Sequence, residues 1–203
     1  MLDPLMRRLV DPPLKAAGRR LAAWGVGADA LTVAGLAVGL LAVPLIIHGW
    51  FLCALAVVAL NRVIDGLDGA VARHRGPTDF GGYLDIVADM LFYAGVVLGF
   101  ALRDPAANGV WAAVLLASFV GTCASFLGWA VIAAKRGDTT EARGRKSFFH
   151  SAGVIEGTET IAFLVALCLF PRWFAEMAAV FAALCLWTVV MRVLAARAAF
   201  GGR

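Results

Sequence analysis

Residues 65–90 read DGLDGAVARHRGPTDFGGYLDIVADM, and four of the five aspartates in this stretch fall into two pairs. Asp65 and Asp68 are three residues apart and Asp85 and Asp89 are four apart, so on helices the members of each pair share one face. Between the pairs lies a polar, basic turn with His74, Arg75, Gly76 and Pro77. A helical hairpin folding there brings both pairs to one depth. Asp79 is expected in the loop as a solvated charge.

Outward from this stretch the chain is apolar. Of its 203 residues 62% are hydrophobic and 16% charged, against about 45–50% and about 25% in soluble domains. The mean hydropathy is +0.84. A soluble fold lacks the polar surface it needs at this composition, and an integral membrane, all-α protein is expected. A span takes about 20 mostly apolar residues. Six candidates emerge: 31–47, 51–72, 83–102, 110–134, 154–169 and 173–195. The pairs then sit at the end of the second span and the start of the third. Residues 1–203 read as a single domain, without repeats or low-complexity segments.

The basic residues orient it. Six spans put both termini on one side. That side carries Arg7, Arg8, Lys15, Arg19 and Arg20, then Arg73 and Arg75, then Lys135, Arg136, Arg143, Arg145 and Lys146, and finally Arg192, Arg197 and Arg203. The other side carries Arg103 and Arg172, and Arg62 falls within a span. The bias places both termini in the cytoplasm. It also argues against nucleic acid as partner, because these cations face a membrane surface. Residues 1–26 lack the apolar core of a secretory signal and are expected to form an amphipathic juxtamembrane helix lying on the interface. Cys53, Cys123, Cys168 and Cys185 lie in apolar runs without metal-binding spacing and read as small buried residues.

Ionisable residues inside spans point to function. Four carboxylates at one membrane interface repel one another until a cation balances them, and oxygen donors suit hard divalent ions that also take phosphate. Two such ions would polarise a phosphoryl group and stabilise attacking and leaving oxygens. Gly69 and Gly81 let a ligand approach the backbone, Ala72 keeps the same face open, and Arg73 can pair with phosphate.

The pattern Asp65-x2-Asp68-Gly69-x2-Ala72-Arg73-x7-Gly81-x3-Asp85-x3-Asp89 resembles the signature of the CDP-alcohol phosphotransferases at each of its eight positions. The resemblance implies a six-helix membrane fold, usually a homodimer, in a bacterial inner membrane with its site facing the cytoplasm. It implies transfer of a phosphatidyl group from CDP-diacylglycerol to an alcohol with release of CMP. It further implies that Asp65, Asp68, Asp85 and Asp89 hold two Mg²⁺ or Mn²⁺ ions and that Asp89 takes the proton of the acceptor hydroxyl. Asp68, Gly69, Ala72, Arg73 and Gly81 would line the CDP site. Many relatives begin the first span with Pro-Asn-x-x-Thr. This chain has Ala28-Asp29-Ala30-Leu31-Thr32, so Thr32 alone keeps that pattern as a CDP contact.

The acceptor depends on residues outside the signature. Arg62, Arg143, Arg145 and Lys146, with Lys135 and Arg136 beside them, offer cations to an acceptor phosphate such as that of glycerol 3-phosphate or an inositol phosphate. They also fit other roles, an ion pair between Arg62 and Asp65 and plain interfacial anchors for the rest. Glu156 and Glu159 suit an amine or polyol, or pairing with Arg143 or Arg145. Two further classes bind cations with aspartates: intramembrane prenyltransferases, which use two distant motifs, and cation carriers, whose sites lie near the midplane within repeated halves.

Overall fold

The structure is a computed structural model that describes residues 3–137, 155 and 157–201, with side chains from residue 12 onward. Arg143, Arg145, Lys146 and Glu156 lie outside the described residues. Every regular element described is helical: α1 (Asp3–Ala23), α2 (Ala28–Leu40), α3 (Ala42–Ile47), α4 (Phe51–Arg75), α5 (Asp79–Arg103), α6 (Pro105–Lys135), α7 (Gly157–Leu169) and α8 (Phe174–Phe200), the last preceded by a 3₁₀ turn over Pro171–Trp173. Four stretches are long and apolar enough to cross a bilayer: Ala28–Ile47, Asp79–Arg103, Pro105–Lys135 and Pro171–Phe200. Two of the six expected spans fall short of that standard for different reasons. Helix α4 has the length but carries Arg62, Asp65 and Asp68. Helix α7 is apolar but 13 residues long as described.

The expected first span is two helices joined at Leu41. Pro44 explains the break, since it has no N–H for the Leu40 carbonyl and its ring crowds that oxygen. Asp79 is not in the loop as the sequence suggested. It opens the first turn of α5, where Thr78 caps the helix by accepting from the Gly81 N–H at 3.0 Å. A carboxylate in that position is favoured by the helix dipole. The turn between α4 and α5 therefore shrinks to Gly76–Thr78, with Gly76 at φ 100°, a conformation that suits glycine. Asp104 likewise caps α6 by accepting from the Ala107 N–H at 3.0 Å, with Pro105 at the first helical position.

The two helices of this hairpin diverge, and α2 wedges between them, packing on both. A side chain on Gly39 of α2 would begin 2.6 Å from the Phe92 ring of α5 and 2.8 Å from Asn61 Nδ2 of α4. The absence of a Cβ is what admits α2 to this cleft. Gly35, one turn earlier, lies against Ile64 of α4, while Gly95 and Gly99 of α5 lie against α2 and α3. These small-residue pairs thus serve packing within the chain. Helix α1 lies on the far side of α4, with Leu14 against Gly66 and Gly18 against Ala70.

The core lies around α5, where Phe92, Val96 and Phe100 are buried with Leu115, Leu164, Leu167 and Phe174. Phe100 stacks on Phe174 with ring centroids 4.9 Å apart. Large apolar side chains also point outward, among them Leu52, Val110, Val120 and Val180. A soluble fold exposes few such contiguous surfaces, and here they suit acyl chains. Arg103 closes the end of the bundle opposite the aspartates. It donates to the Ile47 carbonyl at 3.0 Å and lies over the Phe51 ring.

Candidate active site

Helices α4 and α5 leave their shared turn on either side of α2, and their facing sides bring three aspartates together. Asp65, Asp68 and Asp85 each present a carboxylate oxygen within 4.8 Å of the other two. Oxygens around one hard divalent ion, at about 2.0–2.6 Å from it, lie within about 5 Å of one another. Donor type, number and spacing therefore fit such an ion. Asp68 is the buried member and Asp85 the exposed one. Asp68 is also held in place, because the Thr32 hydroxyl of α2 donates to its Oδ2 at 2.7 Å.

Asp89 stands one helical turn beyond Asp85 and is engaged differently. Arg62 of α4 donates to its Oδ1 at 2.9 Å and the Tyr93 hydroxyl to its Oδ2 at 3.1 Å. Of the two roles expected for Arg62, the ion pair with Asp65 is present at 3.6 Å, longer than the contact to Asp89. Asn61 completes the arrangement by accepting from Arg62 Nε at 2.7 Å and donating to the Gly35 carbonyl at 2.8 Å.

Two cavities meet at Asp85. The larger, of about 510 Å³, is lined by Thr32, Asp68, Gly69, Ala72 and Gly81, five of the residues assigned from sequence to one ligand. Asp29 and Arg75 line it as well. The Asp29 carboxylate overhangs Gly81, where a Cβ would lie 3.1 Å from its Oδ1. Arg75 donates to the Gly25 and Val26 carbonyls and so ties the α1–α2 link to the end of α4. Arg73, the sixth residue assigned, is exposed beside Gly69. The second cavity, of about 310 Å³, carries Asp89, Tyr93, Thr122, Thr160 and Arg192 among apolar residues such as Phe119 and Phe126.

Sequence reading missed Asn61, Tyr93 and Arg192 as site residues. Each left a signal: a polar residue beside Arg62 in an apolar run, a phenol one turn after Asp89, and a cation well inside the last helix. Arg192 was counted only as an interfacial charge, yet it is half-buried and donates to the Thr122 carbonyl at 3.0 Å. Arg136, grouped with the basic loop, instead donates to the Ala199 and Phe200 carbonyls at the end of α8.

A bundle of apolar helices, a carboxylate cluster between two of them and a cavity on each side make a membrane-protein site suited to a divalent ion and two ligands. Residues 26–194 match the CDP-alcohol phosphatidyltransferase family, and the chain belongs to that family of phospholipid-synthesis enzymes. It is 47% identical over 193 residues to the inner membrane protein YnjF of Escherichia coli (strain K12), covering 95% of this chain and 94% of that one. It is 35% identical over 99 residues to an archaetidylinositol phosphate synthase of Pyrococcus horikoshii, covering 48% of this chain and 52% of the relative. The fold matches that of a phosphatidylinositol phosphate synthase (PgsA1) of Mycobacterium tuberculosis solved with CDP-DAG bound. The TM-score is 0.70 at 22% identity, covering 89% of this chain and 91% of that one. The same enzyme in complex with manganese and citrate also gives a TM-score of 0.70, at 23% identity.

Proposed function

We propose that the chain transfers the phosphatidyl group of CDP-diacylglycerol to a phosphorylated alcohol and releases CMP. The observation that carries this is the pair of cavities meeting at Asp85. One is lined by the signature residues, the other by a carboxylate and a cation. The donor occupies the larger cavity, where Gly69, Ala72 and Gly81 leave room for the nucleotide and Thr32 fixes Asp68. Arg73 pairs with its phosphates at the rim. The acceptor occupies the smaller one, with its phosphate toward Arg192. The kinship with an archaetidylinositol phosphate synthase supports an acceptor of the inositol phosphate class. Arg143, Arg145 and Lys146 would add cations from the loop between α6 and α7.

Asp65, Asp68, Asp85 and Asp89 would hold two Mg²⁺ or Mn²⁺ ions, which when bound neutralise the diphosphate and polarise the phosphorus under attack. The acceptor hydroxyl oxygen forms a bond to the phosphorus that carries diacylglycerol. The bond from that phosphorus to the CMP oxygen breaks, and the hydroxyl proton passes to Asp89. Hydrogen bonds from Arg62 and Tyr93 orient the Asp89 carboxylate at the wall of the acceptor cavity.

The protein acts in a bacterial inner membrane, as kinship with YnjF supports. It does so as six spans with both termini cytoplasmic, α1 on the membrane surface, and as a homodimer. In this reading α4 and α7 are the two further spans, α4 crossing despite its charges because they face the site. The test is purified protein incubated with CDP-diacylglycerol and Mn²⁺, with glycerol 3-phosphate, inositol, inositol phosphate, serine or choline added. CMP release stimulated by a phosphorylated acceptor is expected. Release driven only by serine or choline would refute the acceptor class, and release of inorganic diphosphate in place of CMP would refute the reaction.

A further inference from the structure

Arg62 lies outside the eight-position signature, and its surroundings are unusually well defined for a cation within a span. Asn61 is anchored to the Gly35 carbonyl at 2.8 Å and accepts from Arg62 Nε at 2.7 Å. The backbone of α2 thereby sets the plane of the guanidinium. The Phe92 and Tyr93 rings stand 4.7 and 5.5 Å from its central carbon. With 13% of its side chain exposed, Arg62 must find its counter-charge in the protein, and the shorter of its two carboxylate contacts is to Asp89 Oδ1 at 2.9 Å, against 3.6 Å to Asp65. Tyr93 takes the other oxygen of Asp89 at 3.1 Å. Both oxygens of Asp89 therefore accept from the protein, whereas Asp65, Asp68 and Asp85 turn oxygens toward one another.

We infer that Arg62 is a positioning residue that divides the four carboxylates by role. It holds Asp89 against the acceptor cavity and makes it the weakest of the four toward a divalent ion. Two effects produce this. An oxygen already accepting a charge-assisted hydrogen bond has one lone pair fewer for an ion. An ion drawn to Asp89 also approaches the fixed positive charge of Arg62 more closely than one held by Asp65, 3.6 Å from the same nitrogen. The ion held by Asp65, Asp68 and Asp85 binds first, and Asp89 keeps a lone pair for the proton of an incoming hydroxyl. This rests on the metal and acceptor roles proposed above.

The test is a Mn²⁺ titration of the purified, substrate-free protein in detergent, followed by the paramagnetic resonance of free Mn²⁺, beside steady-state kinetics. The wild type should show a tighter and a weaker class of site. In Arg62→Gln the weaker class should tighten about 10-fold or more, and this gain should vanish in the Arg62→Gln/Asp89→Asn double variant. The kcat of Arg62→Gln should fall about 10-fold or more, with the KM for CDP-diacylglycerol within about twofold of the parent. Arg62→Lys keeps the charge but not the fork, so it should lie between, and it serves if the glutamine variant does not fold. Sites of one equal affinity in the wild type would overturn the inference. So would unchanged Mn²⁺ binding in Arg62→Gln, or tightening that persists without Asp89. A raised acceptor KM at unchanged kcat would make Arg62 a substrate contact instead. Because the titration uses no substrate, it stands or fails separately from CMP release.

Discussion

Asp68 accepts from Thr32 whereas Asp89 accepts from Arg62 and Tyr93, and this is enough to predict different phenotypes. Asp68 is buried, receives the Thr32 hydroxyl at 2.7 Å and belongs to the cluster of three. Asp68→Asn should lose Mn²⁺-dependent donor binding and turnover together, because it removes a ligand from the centre of the cluster. Asp89→Asn should keep Mn²⁺-dependent binding of CDP-diacylglycerol, although weakened, and lose turnover by about 10²–10⁴-fold, the range a positioned base contributes. Gel filtration in detergent must show both variants folded, since Asp89→Asn leaves Arg62 without its close counter-charge. A folded Asp89→Asn protein within about tenfold of parental activity could not be using Asp89 as its base. Arg73 makes a third case. It is exposed beside Gly69, which lines the larger cavity, so Arg73→Ala should raise the KM for donor about 10- to 100-fold, the worth of a charge-assisted phosphate contact. The metal affinity should stay unchanged, and an unaltered donor KM would remove Arg73 from the donor site.

At the scale of elements the site depends on α2, which supplies Thr32 to Asp68 and the Gly35 carbonyl to Asn61. Its entry between α4 and α5 rests on Gly39, where a Cβ would meet the fully buried Phe92 ring at 2.6 Å. Gly39→Leu should therefore cost about 1–3 kcal/mol, as overpacking of a tight core does. Because Asn61 is the other neighbour, kcat should fall with it, even though residue 39 lies outside both cavities. Thermal unfolding in detergent and kcat, measured on one preparation, check this, and a variant equal to wild type in both would show that α2 is not wedged. The aspartate pairs and the helices bearing them were legible because spacing and hydropathy act locally along the chain. The 3.6-residue period alone places Asp65 beside Asp68. The splaying of α4 and α5 around α2 was not legible, because it depends on what opposes Gly39 from two distant segments. The pairing of Arg62 with Asp65, three residues on in one helix, was legible for the local reason, whereas its closer contact to Asp89 depends on packing between helices and was not. Asp79 was misplaced for a local reason, the cap made by Thr78, which shortens the turn by moving the helix start toward it.

At the scale of the whole molecule, orientation is predicted from where the basic residues lie. Arg73 and Arg75 end α4 and Lys135 ends α6, the same side as the aspartates, whereas Arg103 closes the opposite end of the bundle. Exposed Trp50 and Trp173 stand at the turns of that opposite end, where indole rings favour the membrane–water boundary. Basic residues are retained in the cytoplasm, so the carboxylates and both cavities should open there and the Asp104 turn should face outward. Asp104 itself caps α6, and a cap is worth about 1 kcal/mol, so the probe belongs on exposed Ala106. Cys53 is exposed and lies near the same end. The four native cysteines should therefore first be replaced by alanine. In that background Ala106→Cys should react with a membrane-impermeant maleimide added to the outer face of spheroplasts. A cysteine at exposed Arg75, at the other end of α4, should react only after the membrane is opened. Labelling of residue 106 only after lysis would invert the topology. The site would then face a compartment without CDP-linked donors, and the charge bias would have to be explained by something other than retention in the cytoplasm.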